Sequence, residues 1–363
     1  MLYTPLTTVS RLANFRGSHR CTAEHDRFLD AMAPARLFAG RFKNAARLEM
    51  RLFSDVGQRL VDLNLLCATY LAKIEKEPHA YDLADLWIPS TMRLFLEQGL
   101  ASREVLAKIL RFLEEADPAA VSGPSGERLS YSVDEVKLLA PVSKPEKILV
   151  VGFSDQTRDL QAKREAQLPT AFYKLPSTLV GPGEAILYPA FTEELDCDIC
   201  LGVVIGKAGR RIPREQASQY IGGFTLLLDV TARDVCRQES ITRNNLLGKN
   251  FLASTTMGPS LLLNDWDSLA ENSPIELAVD GTPIQKFTLK DLIFSVEDVI
   301  AHWSAIGLSV GDVVALGASL ALKSDSPPLP AALKPGSTVC CSCPAIGEMS
   351  HMVVRDSVER WPP

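Results

Sequence analysis

No apolar run in this chain approaches the roughly 18 to 20 residues that a membrane helix needs, and its start has no apolar core of a secretory signal. A helical membrane span and a secretory leader are therefore not expected. Basic residues form no stripe that could track phosphates: 38 Lys and Arg stand against 44 Asp and Glu, for a net charge of -6. Nucleic acid is excluded as a partner on that ground. Histidine is scarce, with five residues at 19, 25, 79, 302 and 351. The eight cysteines, at 21, 67, 197, 200, 236, 340, 341 and 343, are diluted through 363 residues rather than spaced as a disulfide framework. A reducing compartment fits that usage, and the cytoplasm is the expected location. No repeat of fixed period is present. What remains is an ordinary globular composition, 46% hydrophobic and 23% charged, with material for a sizeable core and one large domain beside a smaller one.

The first twenty residues, MLYTPLTTVSRLANFRGSHR, carry Arg11, Arg16 and Arg20 and no acid. That is the charge bias of a mitochondrial presequence, which makes the mitochondrial matrix the alternative location. Glu24, Asp26 and Asp30 follow at once, so a plain N-terminal arm over 1–48 is the preferred reading. From Met50, RLFSDVGQRLVDL reads as two short strands around a glycine turn, and LLCATYLAKIEKE has apolar residues at helical spacing. Two more helices, near 91–99 and 102–115, complete a small α+β domain over 49–130. It ends in ADPAAVSGPSGERLS, rich in Pro, Gly and Ser, and a linker over 131–144 leads to a strand-rich domain over 145–358.

In that second domain KILVVGF, LGVVIG, IGGFTLLLDV, ELAV, DVVALGA and STVCCS read as strands, VDGTP as a hairpin turn, and IFSVEDVIAHWSAI as the one clear helix, with Ile293, Val296, Ile300 and Trp303 on its apolar side. Strands and helices do not alternate regularly, which disfavours a doubly wound sheet. The fold class is α+β and strand-rich.

The stretch LDCDICLGVVIG, residues 195–206, carries the chemistry. Alternation along a strand puts Asp196, Asp198 and Cys200 on one face and Cys197, Ile199 and Leu201 on the other. Burying carboxylates costs several kcal/mol apiece unless cations or hydrogen-bond donors meet them. A second acid, Asp229, follows at LLLDVTARD, just before Arg233 and Asp234. It either marks the mouth of a site, or it caps the following turn while Arg233 pairs with one of the acids.

KILVVGF, AFYKLPSTLVGPGEAI, LDCDICLGVVIGKAGRRI, YIGGFTLLLDVTARDV, GKNFLASTTMGPSLLL, VDGTPIQ, IFSVEDVIAHWS, GDVVALGA and PAIGE occur in the order seen in the fumarylacetoacetate hydrolase family, which the chain resembles over nearly all of 145–355. The resemblance implies a mixed β-roll, a homodimer, and C–C hydrolysis, decarboxylation or tautomerisation of a small oxo acid. It also implies a divalent cation (Mg2+, Mn2+ or Zn2+) that chelates the substrate and stabilises an enolate, and no nucleotide cofactor. In the family pattern two Glu and one Asp hold the metal, a His and a Glu in a lid segment activate water, and a Lys stabilises negative charge.

Carried over by position, the metal ligands fall on Asp198, Cys200 and Asp229, so that only the Asp is kept. Asp198 is a shorter carboxylate, and a thiolate at Cys200 suits Zn2+ better than Mg2+. In the lid, GFSDQTRDLQ puts Arg158 at the His position and Gln161 at the Glu position; neither is a general base near neutral pH. Asp155 is the candidate replacement base. Lys249 in GKNF matches the family lysine, Lys174 another basic position, and Arg233 and Asp234 keep the TARD motif. Gly317-Ala318-Ser319 stands where Gly-Thr-Pro is usual, which leaves Ser319 at a substrate-contact position.

The expected catalytic residues are thus Lys249, Asp155 and Arg158, with Lys174, Arg233, Lys249 and Ser319 binding substrate. The expected function is an enzyme acting on a 2-oxo or 1,3-dicarbonyl acid; the alternative is a catalytically silent relative that binds a ligand or partner through the retained fold. Cys200 as a nucleophile is disfavoured because two neighbouring carboxylates keep its thiol protonated. Cys340, Cys341 and Cys343 read as packed cysteines rather than a zinc site, since alternation splits them between faces.

Overall fold

In the computed structural model, residues 35–43, 49–56, 59–115, 121–152, 168–242, 246–263, 269, 273–317 and 333–357 are described. The strands run β1 (Arg36–Phe42), β2 (Arg51–Val56), β3 (Arg59–Asp62), β4 (Ser130–Ser132), β5 (Val136–Leu139), β6 (Ile148–Val151), β7 (Ala171–Lys174), β8 (Leu179–Val180) and β9 (Ile186–Tyr188). They continue as β10 (Leu195–Ile205), β11 (Ile221–Ala232), β12 (Thr255–Leu263), β13 (Ile275–Val279), β14 (Thr282–Phe287), β15 (Val313–Gly317), β16 (Thr338–Cys343) and β17 (Gly347–Arg355). Twelve form one mixed sheet in the path β4-β3-β2-β1-β12-β11-β10-β15-β6-β7, with β5 on β1 and β8 on β12; the other five pair as β14-β13-β16-β17-β9.

The long antiparallel pair β10–β11 is the centre of the large sheet and is buried almost throughout. Near-continuous apolar runs are what a strand covered on both faces requires. On one face, Cys197, Ile199, Leu201, Leu226, Leu228 and Val230 join a core shared with the second sheet. On the other, Cys200, Val204 and Leu227 join a core shared with the helices of the N-terminal half. The expected division of residues 195–201 between two faces is what the strand adopts. Its far end needs glycine: a Cβ on Gly206 would lie 2.5 Å from the Gly222 Cα, where the β10–β11 register shifts.

The helices of the N-terminal half are α1 (Leu63–Lys73), α2 (Ala80–Trp87), α3 (Met92–Glu97) and α4 (Leu100–Glu114). The sequence pattern located all but α2. The stretch read as an arm over 1–48 already contains β1, which pairs with β2, β5 and β12 and so ties the N-terminal half into the large sheet. The stretch read as a linker contributes β5. Helix α6 (Val296–Trp303) appears as expected, but it is not alone in the second half. Helix α5 (Arg233–Ser240) follows β11 directly; none of its residues is buried, so it has no apolar stripe to betray it. The hairpin turn forms as read, with positive φ at Asp280 (50°) and Gly281 (77°). Along β16 the cysteines do alternate, Cys341 and Cys343 entering the core and Cys340 facing away.

Candidate active site

The β10–β11 register sets Asp198 directly opposite Asp229, which brings side chains on one face within contact range. The polar end of this strand pair collects three carboxylates and three cations. Arg233, the first residue of α5, donates from Nε to Asp196 Oδ2 at 2.9 Å and from Nη2 to Asp198 Oδ2 at 2.6 Å. Lys249, in the GKNF turn, donates from Nζ to Asp229 Oδ2 at 2.7 Å and to Thr231 Oγ1 at 2.8 Å, with the Phe172 ring centroid 4.5 Å away. Lys174 closes β7 and donates to the Val230 carbonyl at 3.0 Å, to the Lys249 carbonyl, and to Ser254 Oγ at 3.3 Å. Its Nζ also lies 3.0 Å from Asp229 Oδ1. That contact is electrostatic: the geometry is not that of a hydrogen bond, and Oδ1 accepts none among the described residues.

Burial is deep but graded. Asp229 and Lys174 are 2% and 1% exposed, Asp198 and Lys249 9% and 8%, so the second pair lines the accessible side. Burial alone would raise the Asp229 carboxyl; Lys249 and Lys174 outweigh it and hold it below the ordinary carboxylate range. Burial pushes the Lys174 ammonium down to about 8, with Asp229 opposing. For Lys249 burial pulls the same way, but Asp229 prevails and keeps it raised. Burial also raises Asp196, with Arg233 compensating only in part. The two readings of the TARD segment thus divide. Arg233 does pair with acids, while Asp229 caps nothing, because β11 continues three residues beyond it to Ala232.

Gln285 of β14 was not foreseen as a site residue. Its Nε2 donates to Asp198 Oδ1 at 2.6 Å and its Oε1 accepts from the Ile199 N–H at 3.0 Å. The β10–β15 pairing covers Cys200–Val204, and this side chain takes over the ladder one residue beyond it. The available signal was a glutamine pairing opposite Leu277 on a strand whose neighbours are core residues. Thr231 and Phe172 were likewise missed. Asp155, Arg158, Gln161 and Ser319 lie outside the described residues.

The three positions that the resemblance assigns to metal do not fit a divalent ion as they are arranged. Both Asp198 oxygens already accept from Arg233 and Gln285. Both Asp229 oxygens face lysine ammonium groups, at 2.7 and 3.0 Å. Cys200 packs into the apolar cluster of Val150, Leu227, Met257 and Ala315, and burial pushes its thiol well above the ordinary range. Mg2+ and Mn2+ favour several free oxygen donors, and Cys200 could serve Zn2+ only as a thiolate. Among the described residues no three His, Cys, Asp or Glu side chains gather at metal-binding spacing.

Comparison with known proteins gives this cluster a context. A mitochondrial oxaloacetate tautomerase of Rattus norvegicus is 31% identical over 306 residues, covering 84% of this chain and 86% of that protein. A mitochondrial oxaloacetate tautomerase of Homo sapiens is 33% identical over 277 residues, covering 74% and 82%. Among solved structures, the fumarylacetoacetate hydrolase of Exiguobacterium antarcticum superposes with a TM-score of 0.63 at 20% identity, over 89% of this chain and all of that one. A maleylpyruvate hydrolase of Sphingobium, solved with manganese(II) and pyruvate, gives 0.59 at 22% identity over the same shares. These structures share the strand-rich α+β fold. The model of the fumarylacetoacetate hydrolase C-terminal domain matches residues 149–354, and the chain belongs to the fumarylacetoacetate hydrolase family.

Proposed function

We propose that the chain is an enzyme of 2-oxo acid enolate chemistry, and that its reaction is the keto–enol tautomerisation of a 2-oxo dicarboxylate. The observation that carries this reading is the Asp229–Lys249 pair at 2.7 Å beside Arg233, in a chain alike over most of its length to oxaloacetate tautomerases. Tautomerisation moves one proton between C3 and the carbonyl oxygen, and negative charge gathers on that oxygen in between. Cationic N–H donors fixed in advance stabilise such charge without reorganising. Lys249 suits the role: two of its three N–H groups are anchored, and the third has no hydrogen-bond acceptor among the described residues.

The proton needs a carrier. In this proposal Asp155 fills that role, with Arg158 and Ser319 completing the substrate contacts; Lys174, expected from the sequence to bind substrate, is instead sealed beneath Asp229 with its ammonium engaged by Val230, Lys249 and Ser254. The matrix location belongs to the same reading, since both tautomerases above are named mitochondrial and Arg11, Arg16 and Arg20 lie in an acid-free stretch. A tagged full-length chain that stayed cytosolic would count against that location.

The test is the rate at which enol-oxaloacetate converts to the keto form with purified protein. Acceleration above buffer is expected, with a loss of about 100-fold in Lys249→Met, the usual cost of removing one such donor. A wild-type rate equal to buffer rejects the proposal. It would favour the second reading, a ligand-binding relative without turnover, which draws support from the engagement of all three carboxylates by cations in the resting site.

A further inference from the structure

We propose that the positive charge facing a bound 2-oxo acid in this chain is supplied by Lys249 and Arg233 in place of a divalent cation. The proposal rests on the enolate reading of the site and specifies its electrostatics.

The geometry points this way at each position a metal would use. Asp198 Oδ2 receives the Arg233 guanidinium at 2.6 Å, and Oδ1 receives the Gln285 amide at 2.6 Å. An ion entering here displaces a charge-assisted hydrogen bond and then sits beside the cation it displaced. Asp229 is held between two ammonium groups, at 2.7 and 3.0 Å, so an ion on either oxygen meets a like charge at contact distance. Divalency doubles that repulsion, and low dielectric surroundings strengthen it. Cys200 offers no compensation, because its side chain lies among Val150, Leu227 and Met257 in the core.

The charge balance leads to the same place. Among the described residues, Asp196, Asp198 and Asp229 are matched by Arg233, Lys249 and Lys174. A divalent ion added to that set before any anion is bound is uncompensated in a buried site, which is costly. Two of the cations share the open side with two of the acids: the side chains of Arg233 and Lys249 are 14% and 10% exposed and those of Asp196 and Asp198 19% and 12%, whereas Lys174 and Asp229 lie beneath at 0% and 3%. An oxo acid can approach Lys249 from the side its anchors leave open, while the carboxylates behind hold the ammonium in place. Gln285 then acts as a positioning residue, fixing the Asp198 carboxylate against Arg233.

The experiment uses the full-length protein, divided into one portion dialysed against EDTA and one equilibrated with Mn2+, with metal content measured on each. Oxalate, a planar dianion resembling the enolate end of a 2-oxo acid, is titrated into both by calorimetry. The expected result is oxalate binding whose Kd differs by less than about twofold between the portions, with metal well below one per chain after EDTA. Oxalate binding lost in EDTA and regained with Mn2+ would overturn the proposal, as would a full equivalent of metal retained through dialysis or no oxalate binding in either portion. Turnover is read separately, so an inactive protein that binds oxalate in EDTA contradicts the enolate reaction and leaves the cation assignment standing.

Discussion

Asp198 shows at the scale of a single residue how this site is built, because each of its two oxygens answers to a different part of the chain. Arg233 comes from the end of the neighbouring strand and Gln285 from the second sheet. Replacing Gln285 by Leu leaves one carboxylate oxygen and the Ile199 N–H without their partner in a buried setting. A buried polar group deprived of its partner costs about 1–3 kcal/mol. Chemical denaturation of Gln285→Leu is therefore expected to show a loss of about 2 kcal/mol, together with a fall in kcat on oxaloacetate; an unchanged midpoint and rate would show that the amide is idle. The acids of the site and Arg233 were legible from the sequence, since charge on a buried strand must be answered, whereas Lys249 and Lys174 came from the resemblance to the family. Gln285 was not legible, because a neutral amide makes no such demand and its partner lies 87 positions away.

At the scale of elements, alternation accounts for most of what could be read. The strand pair β10–β11 has side chains whose chemistry changes with face, so its two sides were visible in LDCDICLGVVIG. Helix α5 was hidden because it offers only Val235 to the core, partly buried, and is specified by the chain that precedes it: Asp234, in its first turn, accepts from the Glu193 N–H at 3.0 Å and from Thr192. Helix α6 was visible because it combines an apolar side with a reciprocal cap. Ser295 Oγ accepts from the Asp298 N–H at 3.1 Å, and Asp298 accepts from the Ser295 N–H at 3.2 Å. Ser295→Ala removes one half of that box and is expected to lower stability by about 1 kcal/mol without altering activity. A change in oxaloacetate kinetics at unchanged stability would mean that α6 reports on the site rather than on the scaffold.

For the whole molecule, pH is the informative variable. His351 of β17 is buried, its Nδ1 lies 2.8 Å from the Glu184 carbonyl oxygen, and its Nε2 meets no partner among the described residues. A contact to a carbonyl requires the proton on Nδ1, and a second proton on buried Nε2 would find no acceptor among the described residues, which favours the neutral ring. Burial is the main cause that pushes its pKa below the ordinary value. The unfolded chain therefore binds a proton more readily than the folded one, and stability from this group is complete above about pH 6.5 and declines as pH falls below it. Asp229 acts in the same direction at lower pH, its depressed carboxyl withdrawing stability as pH falls through its folded value. Melting temperature is expected to drop from about pH 7.5 to 5.5, and His351→Gln is expected to flatten that slope; an equal slope in the variant would assign it to other groups. The large sheet was only partly legible, because a strand such as β1 pairs with residues more than two hundred positions away.

The most direct measurement is a crystal structure of the full-length protein with oxalate bound. The dianion is expected within about 3 Å of Lys249 Nζ, on the side of the β10–β11 pair that carries Asp198, with the Asp229–Lys249 contact kept. Oxalate found elsewhere, or absent from this position at concentrations that saturate binding in solution, would contradict a 2-oxo acid site at this end of the sheet.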